Sequence, residues 1–333
     1  MVLDCPVPHT EVERILLGHG SGGQLSARLL ADVVGPALGG APRVDDAAVL
    51  DLPGGGALVF TTDAFVVSPR EFPGGSIGEL SVNGTVNDLA MMGATPLALS
   101  LAYIVEEGLP VAELRAVTEA VGRAAAAAGV PVVTGDTKVV GRGAADGLYV
   151  VTSGIGLAGA VRPAADRARP GDAVVLSGPV AAHGMAVMSV REGLGFDADI
   201  ASDTRPLHRL VADVLAAVPD THVLRDPTRG GLASALNEIA VCSGVGVVLD
   251  EAAVPVADAV QGACEMLGLD PLHVANEGVC VAFVPSSSAD AAVAAMRARP
   301  EGMQAVVIGR SVAEHPGRVV AHTLVGEQLP RIC

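Results

Sequence analysis

Short apolar runs, partly β-branched and bounded by Gly, Pro or Asp, alternate along this chain with helix-length periodic segments, but never as strict strand–helix–strand units. In the first half, 57–62 (ALVFTT), 97–105 (LALSLAYIV), 131–134 and 148–157 (LYVVTSGIGL) read as strands, with helices predicted over 76–92 and 111–128. The second helix stops at Gly129, just ahead of Pro131, a usual helix-ending arrangement. In the second half, strands are expected at 173–178, 246–250, 279–284, 304–309 and 318–324. Helices are expected near 181–192, 206–217, 231–243, 257–267 and 288–298. The irregular mixture predicts an α+β protein rather than a doubly wound sheet. Its 333 residues suffice for two domains, each with its own core. The polar, two-proline segment RPAADRARPGD (162–172) marks the boundary, dividing the chain into 1–161, 162–324 and a mobile tail, 325–333.

Composition narrows the function. The chain has 21 basic and 37 acidic side chains, a net charge of −16, and Lys138 is its only lysine. Such a chain lacks the clustered cationic surface that nucleic acids or an anionic membrane require. The N-terminus has no signal-peptide character, and the longest uncharged run, 89–105, is interrupted by Gly93 and Pro96, so a soluble cytoplasmic protein is expected. Five widely spaced cysteines without a C-x-x-C pair argue against a disulfide framework and a structural zinc site. Cys242, Cys264 and Cys280 are expected as buried small hydrophobes. An acidic protein that handles anions needs metal ions as intermediaries.

Carboxylates recur in one kind of context. Asp46 in VDDAAVL, Asp63 in FTTD, Asp88 in VNDLAMMGA and Asp136 in VTGDTKVV each end an apolar strand or open a loop, and Asp226 in LRDPTRGG precedes a helix. One such Asp is usually a cap or turn residue. Several together favour a shared hard cation, and Mg²⁺ typically bridges carboxylates to substrate phosphates. The HGSGG loop (Gly22, Gly23) and Thr228-Arg229-Gly230 also precede helices, where free N–H groups can hold anions or simply cap the helix. Lys138 offers a compact charge that guanidinium cannot mimic, for an electrophilic or proton-donating role, or is a stray surface lysine. Glu277, in ANEG, is a candidate general base or a turn residue. Cys333, the last residue, is a candidate nucleophilic carrier or an accidental terminus.

Taken together, HGSGG, TTDAFVVSPREFPGGSIG, GTVNDLAMMGATP, VEEGLP, VTGDTKVV, RDPTRGG, ANEG and terminal PRIC resemble the HypE family of hydrogenase maturation factors, the carbamoyl dehydratases. The resemblance runs in order from Leu16 to Cys333. Its Asp motifs are shared with aminoimidazole ribonucleotide synthetases and selenophosphate synthetases, whereas GDTKVV, ANEG and PRIC together are specific to the maturation factor. It implies an ATP- and Mg²⁺-binding α/β N-terminal domain (PurM-like) whose sheet joins that of a second copy in a barrel-like core, with an α+β C-terminal domain alongside. ATP and Mg²⁺ would be held by Asp46, Asp63, Asp88, Asp136 and Asp226. A carbamoyltransferase would load Cys333 with a thiocarboxamide. ATP-dependent dehydration would convert it to a thiocyanate, with Lys138 stabilising charge and Glu277 taking protons. An iron-carrying scaffold complex would then receive the cyano group for [NiFe]-hydrogenase. The rival expectations are a superfamily synthase or kinase acting on a free small molecule, and a non-catalytic maturation scaffold.

Overall fold

A computed structural model describes residues 14–40, 45–194, 199–323 and 326–328. Two short helices, α1 (Gln24–Leu29) and α2 (Gly35–Ala37), precede a first sheet built from β1 (Ala48–Asp51), β2 (Ala57–Phe65), β5 (Ala94–Glu106), β6 (Val132–Val140) and β7 (Leu148–Ala158). A two-residue ribbon, β3 (Glu71–Phe72) with β4 (Gly75–Ser76), leads into helix α3 (Ile77–Met91), and α4 (Val111–Ala128) links β5 to β6. The strand order is β1-β2-β7-β5-β6. Neighbours are antiparallel except β5 and β6, which run parallel because a helical crossover joins them. Gly129 closes α4 in the left-handed region, as its place before Pro131 suggested.

The second sheet has the order β14-β13-β10-β12-β8-β11-β9. Its strands are β8 (Asp172–Leu176), β9 (Val223–Arg225), β10 (Gly246–Asp250), β11 (Val281–Pro285), β12 (Val306–Val312), β13 (Arg318–Thr323) and β14 (Gly326–Gln328). Apolar helix faces cover both sides of this sheet. Leu232, Leu236 and Ile239 of α7 (Gly231–Ser243) pack on one face. Leu210 and Val214 of α6 (His208–Ala217) and Met296 of α9 (Ala289–Arg297) pack on the other. Helices α5 (Ala182–Arg191) and α8 (Asp258–Leu267) form a further apolar cluster around Met185, Val260 and Cys264. Cys264 and Cys280 are buried and Cys242 is half-buried, all three as free thiols. Among the described residues, no helix is long and apolar enough to cross a membrane.

Helix α3 positions the site. It is buried on nearly every side: most of its residues are small or apolar, and the buried Asn87 is satisfied by hydrogen bonds. It packs on β2 and β7 of the first sheet and on α6 and β9 of the second half, and its Ala90 and Met91 belong to the core around α6 and α9. Two expectations differ from the structure. The strand expected to end near Thr134 continues to Val140, because 134–140 pair with 100–106 of β5. Within the segment expected as a tail, Gly326–Gln328 pair with β13.

Candidate active site

The site assembles where the first sheet, α3 and the loop after β9 meet. Asp46 lies just before β1, Asp63 near the end of β2, Asp88 in the last turn of α3, and Asp226 directly after β9. Carboxylate oxygens of Asp46, Asp88 and Asp226, one from each, lie within 4.8 Å of one another. Thr61 Oγ1 donates to Asp88 Oδ2 at 2.7 Å and lies 3.1 Å from the Asp46 carbonyl, which ties the loop before β1 to α3.

Burial dominates the electrostatics. It pushes the carboxyls of Asp46 and Asp88 well above the ordinary range, and neighbouring acids add to the effect. Asp63 also moves up, although its hydrogen bond with Asp88 and the charge of Arg229 oppose the shift. Asp226 is pushed up to about 6. One cation is built in: Arg225 Nε lies 2.9 Å from Asp46 Oδ1, and its NH2 lies 2.8 Å from Glu238 Oε2. Arg225 and the nearby Arg229 face Asp46, Asp63, Asp88, Asp226, Glu238 and Glu277, so acids outnumber cations and the cluster is short of positive charge. An all-oxygen donor set of this spacing fits a hard divalent cation.

Glu277 is raised well above its ordinary range by burial, with Asp226, Asp203 and Asp63 adding repulsion and Arg229 opposing it. Its position is fixed through the backbone: Asp203 accepts from the N–H groups of Glu277 and Gly278. The preceding Asn276 is a staple, accepting from Ala181 N–H at 2.7 Å and donating to the Pro227 carbonyl at 2.8 Å. Asn87 does the same for α3, accepting from Leu207 N–H at 2.7 Å and donating to the Arg205 carbonyl at 3.1 Å.

These residues open onto a cleft of about 1200 Å³ lined by Gly23, Asp63, Asp88, Asp226, Thr228, Arg229, Gly230 and Glu277. Gly22 packs behind it. Its φ is +85°, and a Cβ there would lie 2.9 Å from Arg229 Cβ, so glycine lets the two glycine-rich loops touch. His183 also lines the cleft; burial pushes it down to about 4, so the ring is neutral, and Nδ1 is 2.9 Å from Ser202 Oγ.

Asp136 and Lys138 lie elsewhere. Both sit mid-strand on the exposed edge strand β6, paired at 2.6 Å, and a single chain does not bring them to the cleft. The Lys138 ammonium and the Thr137 N–H hold the Asp136 carboxyl below its ordinary range. Cys333 lies outside the described residues. The sequence reading passed over Arg225, Asp203 and Thr61. Arg225 was within reach, since it adjoins Asp226 in LRDPTRGG and converging acids need a buried cation. Nothing local distinguishes Asp203 from a capping residue.

The two sheets and the acid-lined cleft define a two-domain protein of the PurM-like class. Residues 44–158 match the family "AIR synthase related protein, N-terminal domain", and 169–322 match its C-terminal counterpart. A solved structure of AaThiL complexed with AMPPCP and TMP shares the fold at a TM-score of 0.72 and 18% identity, covering 96% of this chain and 100% of that one. Within this class, the chain belongs to the HypE family of carbamoyl dehydratases. It is 52% identical to carbamoyl dehydratase HypE of Rhodobacter capsulatus over 96% of this chain and 98% of the relative. With HypE of Escherichia coli K12 the identity is 41%, over 97% and 100%. A HypE–HypF complex structure matches at a TM-score of 0.87 and 42% identity, covering 92% of this chain and 99% of that one. A HypE structure in complex with ATP matches at 0.81 and 46%, covering 96% and 98%.

Proposed function

We propose that this chain dehydrates a carbamoyl group carried on Cys333, using ATP and Mg²⁺, and so supplies the cyanide ligand for the iron of [NiFe]-hydrogenase. The observation that carries this reading is the buried, under-neutralised carboxylate cluster opening onto a cleft walled by two glycine-rich loops. Relatives named carbamoyl dehydratase, one of them of known structure with ATP, support it.

In the reaction, the amide oxygen of the S-carbamoyl group attacks the terminal phosphate of ATP, and ADP leaves. The carbon–oxygen bond then breaks with loss of inorganic phosphate, and the nitrogen gives up both protons as the nitrile forms. Thr228, Arg229 and the N–H groups around Gly23 and Gly230 hold the phosphates. Mg²⁺, when bound, would be held by Asp46, Asp88 and Asp226 with Asp63 alongside, and would neutralise phosphate charge that this acidic chain otherwise repels. Arg225 keeps Asp46 oriented. Glu277 takes protons from the amide nitrogen, and its burial makes it the stronger base.

Asp136 and Lys138 serve the cleft of a second copy. The exposed edge strand β6 and the apolar row it continues, with Phe60 opposite Ile155 and Val133 and Val139 exposed, form a surface for homodimerisation that carries both residues across. There Lys138 would stabilise the oxygen on which charge develops. The segment 325–333 delivers Cys333 to the cleft and returns it to its partners: a carbamoyltransferase, consistent with the HypE–HypF complex of a relative, and an iron-carrying scaffold.

Mass spectrometry of the protein with a carbamoylating partner and ATP tests the reading. An adduct on Cys333 that then loses the mass of water is expected, and Cys333→Ala should form none. Normal nitrile formation by that variant would overturn the carrier role. Mixing a Lys138→Ala chain with a Glu277→Gln chain should restore part of the turnover if Lys138 acts in trans; no recovery in verified mixed dimers would place it elsewhere.

A further inference from the structure

Away from the cleft, the segment between the two sheets forms one wall of a second cavity, of about 610 Å³. Arg162, Arg167 and Arg169 line it, together with His222, Ser286 and Ser287. That gathers three of the chain's 21 basic residues at one place in a protein of net charge −16. The arginines are held in different ways. Arg167 donates to the Arg162 carbonyl, and Arg162 lies 3.5 Å from the exposed Asp51. The Arg169 side chain has no hydrogen bond or ion pair among the described residues. Its backbone N–H instead donates to Asp172 Oδ2 at 2.8 Å.

At the back of the cavity, His222 Nδ1 lies 2.8 Å from the same Asp172 oxygen, with the two side chains 8% and 4% exposed. The ring is thereby fixed in orientation. Its other nitrogen, Nε2, has no partner among the described residues, although the side chain is more than nine-tenths buried and lines the cavity. Ser286 and Ser287, from the short 3-10 turn Ser286–Ser288 ahead of α9, also line the cavity, and their hydroxyls can donate into it. Two carboxylates share the lining: Asp172, engaged by His222 and the Arg169 N–H, and the exposed Asp220; Arg167 and Arg169 have no carboxylate partner among the described residues.

The structure assigns to this cavity a binding site for a phosphate-type oxyanion, separate from the nucleotide cleft. Guanidinium groups recognise such an anion by forked hydrogen bonds, the hydroxyls of Ser286 and Ser287 add donors, and His222 Nε2 supplies a fixed polar contact. The volume admits either the free anion or a small phosphorylated molecule. Bound anion would bridge the segment 162–172 to α9 and the loop before β9, clamping the connection between the two sheets.

Equilibrium dialysis with radiolabelled inorganic phosphate tests this, with the cleft first saturated by Mg²⁺ and a non-hydrolysable ATP analogue and chloride used to keep ionic strength constant. One phosphate per chain should bind with the cleft filled, and the Arg167→Gln/Arg169→Gln pair should weaken it at least tenfold while leaving analogue binding unchanged. A parallel arm with AMP distinguishes sources: tighter binding than phosphate marks a nucleotide site, and equal or weaker binding marks a site for the free anion. Phosphate fully displaced by the analogue, or bound equally by the double variant, would overturn the assignment. Because Arg167 and Arg169 are exposed, the variant should fold, and circular dichroism checks that it does.

Discussion

Replacing Asp226 with Asn should stabilise the cation-free protein at neutral pH while weakening its hold on Mg²⁺. Burial, opposed by Arg225 and reinforced by Asp63, pushes the Asp226 carboxyl from 3.8 to about 6. The folded-state value lies above the unfolded one, so the protonated form favours folding. That contribution is complete below about pH 3.8, and it is lost as pH rises through about 6. At pH 7.5 the ionised group therefore works against folding by about 3 kcal/mol. Asn keeps the size and one acceptor oxygen without the charge, so it should recover most of that amount. At about 1.4 °C per kcal/mol for a chain of 333 residues, the melting temperature should rise by about 4 °C at pH 7.5 and hardly at all at pH 4. The chain has no Trp, so far-ultraviolet circular dichroism in a chelator is the suitable assay. Adding Mg²⁺ should raise the wild-type melting temperature at pH 7.5 and the variant's by less. A variant no more stable than wild type in chelator at pH 7.5, or one stabilised equally at both pH values, would refute the electrostatic reasoning.

Arg225→Met should have the opposite effect, leaving the buried Asp46 without its guanidinium, and the partly exposed Glu238 without its partner, at a cost of about 3 kcal/mol, partly restored by Mg²⁺ in the same melts. Asn87→Ala strands the buried Leu207 N–H and should cost about 1–3 kcal/mol, read as a lower denaturation midpoint in urea. Gly78→Ala should lose about 1–3 kcal/mol by overpacking, because a Cβ there would lie 2.6 Å from the Val117 carbonyl oxygen of α4. Thermal melts showing no loss would mean that α3 and α4 can part more easily than their contact implies.

Local pattern made most of the architecture readable. The helix at 111–128 and the helix at 231–243 are found at the predicted bounds, because a left-handed glycine ends each one. Strand β6 was cut short, since Gly135 and Asp136 look like loop residues until β5 is seen to supply their partners. The same difference applies to the site. Asp46, Asp63, Asp88 and Asp226 were visible as a repeated context, and α3 and β9 bring them together. Asp136 shared that context but occupies an outward-facing strand, a distinction that depends on its pairing with Ala102, 34 residues earlier in the chain. Asp203 was invisible because its role, holding the Glu277 backbone, exists only through the fold.

Asn87 and its helix also limit how the cleft can work. One face of α3 belongs to the first sheet and another to the core of the second, and Asn87 ties it to the chain at Arg205 and Leu207. Swinging the two halves apart would tear that shared helix out of one core or the other. A nucleotide bound as proposed above would therefore enter and leave a rigid vessel through its mouth. Release of such a ligand would then depend on the loops around Gly23 and Gly230 that line the mouth, and a stiffer loop should slow its departure without changing the chemistry at the carboxylates.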